Sequence, residues 1–282
     1  NDGHIRFNHQ YGYEMLDTTT MISRKQLYIL RKKQAGNLAT NSITLGGAVT
    51  SIANFQDSNI DHKFGYLMRH PTVSNQVGKE VSEAVVHSAQ LFVTANLNDW
   101  IASQTEILYD PEQSFGAGTN TALTRNQLQV RQAYVLLGDL NKSPFYASLG
   151  KMAAPFGLTD TVNPFTANTV WHAFGGLANG MILAYLQHGL RLSFMGVEGG
   201  AQFRASNTSV AGTAVPSRLN NYSADANYTH TLGAKSHLLV GGSYQKGSAY
   251  CQNFPVVHFA ACPENNPAYD VYSQLGLNNL TL

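Results

Sequence analysis

Glu106, Arg131, Lys151, Arg191 and Asp225 are the residues whose types and spacing point to chemistry. Each sits in a stretch where polar and apolar residues alternate, so each is a strand candidate. Counting register about the loop near residue 118 sets Glu106 opposite Arg131 or Val130. Counting about the turn near Asn141 sets Arg131 opposite Lys151 or Gly150. Lys151 has the parity of Leu149 and joins the polar row only if Gly150 is a bulge. With that bulge, Glu106, Arg131 and Lys151 form a charged ladder, and Arg191 and Asp225 extend it. Fixed charges along an aqueous passage set its ion preference. The plainer alternative is an internal ion-pair network that only fills a narrow interior.

The elements that must hold these residues are strands. In "AQLFVTANLNDWIASQTEILY" (residues 89–109), Leu91, Val93 and Ala95 alternate with Phe92, Thr94 and Asn96, and Ile101, Ser103 and Thr105 alternate with Ala102, Gln104 and Glu106. In residues 127–138, Leu128, Val130, Tyr134 and Leu136 are set against Gln129, Arg131 and Ala133. The same rhythm covers residues 42–55, 145–149, 190–194, 222–229, 238–244 and 271–277, and with residues 180–187 it gives roughly ten strands. Long connections (56–81, 110–126, 152–178, 198–217, 249–268) alternate with short ones near 98–99, 139–143, 187–189, 231–236 and 278–279. Strict alternation of that kind fits an up-and-down antiparallel transmembrane β-barrel with short periplasmic turns and long outer loops.

Composition agrees with a surface that meets lipid. Charged residues make up 12% of the 282, against about 25% for an ordinary soluble domain. A net charge of +1 implies no basic field for nucleic acid. No apolar run approaches the ~18 residues of a membrane helix. One row of side chains is Leu, Val, Ile, Ala, Phe and Tyr, and the other carries Gln, Thr, Asn, Ser, Arg and Asp. An apolar outside and a polar inside is the barrel pattern. Trp100, Phe145, Tyr228 and Tyr109 lie near strand ends, where aromatic girdles form. The expected surroundings are a bilayer and lipopolysaccharide, in the bacterial outer membrane.

Both ends differ from the middle. Residues 1–40 do not alternate, and residues 41–282 hold the barrel. "SRKQLYILRKKQAG" (Ser23–Gly36) reads as a short basic helix carrying Arg24, Lys25, Arg31, Lys32 and Lys33. It is expected to be a solvated periplasmic helix, with a plug or a contact with anionic headgroups as the functional alternatives. No signal peptide stands at Asn1, so a processed or truncated form is expected. "LNNLTL" closes the chain at the start of an eleventh strand, which predicts a portion of a longer chain. A ten-stranded barrel with a short tail is the rival.

Cys251 and Cys262 bracket "QNFPVVHFAA" and predict one disulfide in an oxidising compartment. Closing so short a loop contributes roughly 2–3 kcal/mol. The alternative is two free thiols. No metal site or cofactor is predicted: His62 with His70, and His4 with His9, read as solvated histidines. No enzyme motif is complete, since Gly241-Gly242-Ser243 lacks the second glycine of a nucleophile elbow and Gly116-Ala117-Gly118 does not open a helix.

"IANFQD" (Ile52–Asp57), "TANLNDW" (Thr94–Trp100) and "RQAYVLLGDLNKSPFYASLGKMAAPFGL" (Arg131–Leu158) together carry a resemblance. The chain resembles the siderophore-porin-like outer-membrane proteins of the legiobactin-receptor type in Gram-negative bacteria, most clearly over residues 42–197. The resemblance implies a barrel of about sixteen strands after a periplasmic segment, so roughly five or six strands lie outside this chain. It implies passage of a ferric siderophore, but no binding motif carries over residue by residue. With no large plug domain, energised transport is not expected. The expected function is therefore a porin-like channel for passive passage of small solutes, a ferric siderophore among them. The alternative is a structural or interaction barrel with an occluded interior, bound to a second copy or to other envelope proteins.

Overall fold

The computed structural model describes residues 4–15, 25–62, 78–109, 128–159, 170, 174, 176–198, 219–247, 267–277 and 280–281. The chain is mostly β. Its strands are β1 (His4–Phe7), β2 (Ser42–Asp57), β3 (Glu80–Asn96), β4 (Ile101–Tyr109), β5 (Leu128–Leu137), β6 (Phe145–Ala153), β7 (Leu177–Gln187), β8 (Leu190–Glu198), β9 (Leu219–Gly233), β10 (Ser236–Gln245), β11 (Ala268–Leu277) and β12 (Leu280–Thr281). Two helices, α1 (His9–Met15) and α2 (Lys25–Gln34), lie between β1 and β2. All twelve strands form one sheet in which spatial order equals chain order. β1 runs parallel to β2, and the later neighbours are antiparallel.

Strands β2–β11 correspond to the roughly ten expected. β12 falls where the sequence predicts the start of an eleventh strand, while β1, at four residues, is too short to show a period. Gly36 ends α2 as expected: it has φ 72°, its N–H reaches Lys33 O at 2.9 Å, and Asn37 N–H reaches Lys32 O at 2.9 Å. That pair of bonds is a Schellman cap. The β7–β8 turn is His188-Gly189, both with positive φ, the two-residue geometry whose twist matches flanking strands.

Strand faces differ sharply. Thr94, Gln104, Ser148, Ser193 and Ser223 are buried on the face that carries the helices. The opposite, bare face exposes Phe145 (64%), Leu183 (51%) and Val271 (89%). An ordinary water-facing sheet has the reverse arrangement.

β5 departs from the expected alternation. A register shift falls between the pairs Glu106–Gln132 and Ile107–Val130, leaving Arg131 as the extra residue. Arg131 and Gln132 are consecutive and both buried. The bulge reverses parity beyond it, so Tyr134 and Leu136 turn to the helix face, and Ala133 joins the bare face with Val135 and Leu137.

The sheet curls toward its helices, as a short strap proves. After β6, Pro155 O accepts from Ser223 Oγ at 2.6 Å, and Gly157 N–H donates to Ser243 Oγ at 2.9 Å. Ser243 lies four strands from β6, in the lateral row of Tyr146 through Ala184, Ser193 and Asp225. In a flat sheet that is roughly 19 Å sideways, plus about 23 Å back along the strands. Four residues from Ala153 to Gly157 span at most about 14 Å. Only curvature brings β10 within reach.

Gly150 makes one stability prediction. Its φ is 131°, and an added Cβ would stand 2.3 Å from Ala133 O and 2.8 Å from Tyr134 Cα. Backbone cannot move aside cheaply there. Gly150→Val is expected to lower unfolding free energy by about 3 kcal/mol or more. Gly233→Ala, with nothing within 4 Å, serves as the control. Equal urea midpoints for the two variants would refute the expectation.

Candidate functional site

The helices fill the concave face by apolar contact first. Tyr11 of α1 meets Phe92 edge-on at 6.3 Å and stacks on Tyr28 of α2 at 5.9 Å. Gly46, opposite Phe92, leaves room for that ring, since a Cβ there would lie 2.1 Å from it. Tyr11 OH then meets Thr94 Oγ1 at 3.0 Å, and Thr94 hydrogen-bonds to Gln104. Lys32 clamps α2 to α1 through Glu14 at 2.9 Å and covers the Tyr28 ring.

Glu106 anchors the first charged cluster. It accepts from Gln132 Nε2 at 3.1 Å, and Arg131 Nη1 lies 3.5 Å away. The bulge is what points both neighbours at one carboxylate. Lys25 Nζ approaches Glu106 to 3.9 Å and hydrogen-bonds to Met15 O. Lys25, Glu106 and Arg131 are 1–3% exposed, so water screens their interaction little. The solvated helix expected for this segment is thus corrected: α2 buries Lys25, Gln26, Leu27, Ile29 and Leu30 against the concave face. Lys25 faces Glu106, a partner on β4 that segment-local periodicity does not reveal. Arg31 lies within electrostatic reach of Arg191 and Tyr146. Arg24 lies outside the described residues.

Arg191 and Asp225 belong to a second cluster. Arg191 Nε donates to Tyr146 OH at 3.2 Å. Asp225 accepts from Asn227 Nδ2 (2.7 Å), Ser243 Oγ (3.0 Å) and Tyr272 OH (2.5 Å). Asp225 is a diagonal neighbour of Arg191, whose direct partner is Asn227. The Glu106–Gln132 pair stands three lateral rows from the row of Tyr146, counted through Tyr134 and Leu136 on β5. Among the described residues there are accordingly two clusters and no continuous ladder.

Lys151 joins neither. Register runs without a shift through Gly150, pairing Lys151 with Ala133 and Asn179. Lys151 keeps the parity of Leu149, and its Nζ donates to Val130 O at 3.2 Å. The bulge expected at Gly150 lies across the pair, at Arg131.

The short-turn end holds a third set of contacts. Lys33 Nζ donates to Asn98 O at 3.1 Å, and Gln34 Nε2 to Leu140 O at 3.2 Å. Partial burial pushes the Lys33 ammonium below its usual range, against Asp139 and Asp99. A hydrogen bond donated to the Asp139 carboxylate holds the Lys142 ammonium above its usual range. A polar cavity of about 170 Å³ lies between α2 and these turns, lined by Lys33, Asn96, Asp99, Asp139 and Lys142 among others.

No protein-family model matches the chain, and no curated protein matches it at a significant level. Cys251 and Cys262 lie outside the described residues, as does His70. His62 Nδ1 accepts from Gly78 N–H at 2.8 Å. Among the described residues no three His, Cys, Asp or Glu gather as metal ligands, and no helix is long and apolar enough to cross a membrane.

Residues that sequence reasoning missed are the neutral partners: Gln132, Tyr146, Ser243 and Tyr272. Polar-row parity was the available signal for Tyr146 and Ser243. Several hydroxyls on this face, those of Tyr134, Ser148 and Ser193, are buried without a partner among the described residues. Buried polar atoms of that kind are ordinarily satisfied by water.

Proposed function

We propose that the chain forms the wall of an outer-membrane β-barrel of the porin kind, passing small solutes passively. The carrying observation is the inversion of faces: large apolar side chains are exposed, while Glu106, Arg131, Arg191 and Asp225 are buried on the concave side. Lipid accepts the first face and not the second, since a charge facing lipid at the midplane costs about 2–4 kcal/mol. The bare face also has two aromatic belts. Phe145 and Tyr185 meet at 5.2 Å toward the short turns, and Tyr222, Tyr244 and Tyr269 run at 5.0–5.6 Å toward the long connections. Trp100 and Tyr109 bracket β4, nine residues apart. At ~3.3 Å per residue and a tilt of ~40°, that is about 23 Å, the height of an outer-membrane apolar band. A ferric siderophore is the candidate solute, on the resemblance alone.

A second reading, a barrel with a filled interior that serves structure or envelope assembly, is favoured by one observation. α2 and the strap Ala154–Gly157 are packed onto the concave face, and Ala154 and Phe156 are 2% exposed. On the first reading the same elements are a removable plug. Planar-bilayer recording separates the two. Full-length protein is expected to give small or rare steps, and a variant lacking residues 1–38 larger ones, blocked by a ferric siderophore. Heat-modifiable, inserted protein without conductance in either form would establish the filled barrel. Failure to insert would show that the bare face meets protein.

A further inference from the structure

The bare face contains a groove of about 950 Å³, at the upper end of the range for ligand sites. Its floor is made of small outward residues on three strands: Ala147, Ala224, Ala226 and Gly242. Its walls are large: Trp100, Phe145, Tyr185, Phe194, Tyr244 and Tyr269. Asp225 and Asp270 contribute to the lining from strands whose acidic side chains have the concave-face parity. The groove runs from the aromatic belt at the short turns to the belt at the long connections. An elongated hydrocarbon matches that lining, and a charged or peptide ligand does not.

Ser143 and Trp100 line one end of the groove; Lys142 and Asp99, which precede them in the chain, line the cavity beneath α2 and form an exposed ion pair at the turns. Their Nζ–Oδ2 separation is 3.6 Å, and their side chains are 56% and 62% exposed. Lys142 also faces the buried Asp139 carboxylate at 3.2 Å. An exposed cation beside an exposed carboxylate complements a headgroup that carries both a phosphate and an ammonium. Each of those groups finds an opposite charge, whereas a purely anionic headgroup leaves Asp99 facing like charge.

We infer that the groove on the bare face is a binding site for a zwitterionic aminophospholipid, with acyl chain over Ala147, Ala226 and Gly242 and headgroup at Lys142 and Asp99. It rests on the lipid-facing reading of this face. Gly242 admits a side chain, since an added Cβ meets only Asp270 O at 3.4 Å.

Native mass spectrometry of the full chain in detergent tests it, with phosphatidylethanolamine, phosphatidylglycerol and phosphatidylcholine added at equal concentration. Wild type is expected to retain one phosphatidylethanolamine per chain. Ala226→Trp, and separately Gly242→Leu, are expected to reduce retention by about tenfold or more while heat-modifiability persists. Lys142→Glu is expected to abolish the preference among headgroups but not retention. Heat-modifiable wild type that retains no lipid, or groove-filled variants that retain as much as wild type, would overturn the site and leave the membrane reading standing. Equal retention of all three lipids by wild type would overturn the headgroup assignment. Wild type that inserts into no vesicle would overturn the membrane reading, and the site with it.

Discussion

Glu106→Leu is expected to lower the unfolding free energy by about 3–5 kcal/mol. The carboxylate is 3% exposed and takes Gln132, Arg131 and Lys25 on its two oxygens. Leucine fills similar space but accepts nothing, so both cations lose this carboxylate in a site of low dielectric. Glu106→Gln keeps an acceptor for Gln132 and should cost less, about 1–2 kcal/mol. The pairing of Glu106 with α2 is isolated by a double-mutant cycle with Lys25→Met. If the carboxylate holds the helix, the double variant is more stable than the sum of its singles implies. Urea titration in detergent, followed by heat-modifiability, reads all four proteins. A Glu106→Leu loss below about 1 kcal/mol would sink the idea that this carboxylate organises the concave face.

Asp225→Leu ranks second, with an expected loss of about 3–4 kcal/mol. Three donors converge on Asp225: Asn227, Ser243 and Tyr272. Ser243 also receives the N–H of Gly157, so Asp225 holds the strap at one remove. A second readout follows from that geometry. Limited proteolysis near residues 154–159 should accelerate in Asp225→Leu and much less in Asp225→Asn, which keeps an acceptor. Equal cleavage in wild type and both variants would show that the strap is held by its apolar contacts alone.

The sheet was legible in the sequence because side-chain direction repeats every two residues, and one buried face fixes register over long stretches. Strands from β2 to β11 and the alternation of long and short connections followed from that period. Features that depend on contact between distant segments were not. Arg131 and Gln132 carry no local mark of a bulge, so simple alternation puts Tyr134 and Leu136 on the bare face and not on the helix face that they occupy. Gly150 looked like the irregular position because it is a glycine, yet its positive φ leaves the register intact. Lys25 lies in a run of basic residues that reads as solvated, and its buried partners include Glu106, 81 positions away. Nothing in "MAAPFG" (residues 152–157) announces a strap, because its partners Ser223 and Ser243 are about as remote.

Neighbouring strands in space are also neighbours along the chain. Each new strand can dock on the one just finished, with little loop-closure entropy to overcome before its hydrogen bonds form. Bonds across the interior are another matter: Tyr11 meets Thr94 over 83 positions, and Pro155 meets Ser223 over 68. The sheet is thus a zipper whose strands pair between chain neighbours, while the helices and the strap on its concave face depend on non-local contacts. Helices α1 and α2 precede β2 in the chain, yet the side chains that hold them, Thr94 and Glu106, lie on β3 and β4, so their docking follows the pairing of those strands.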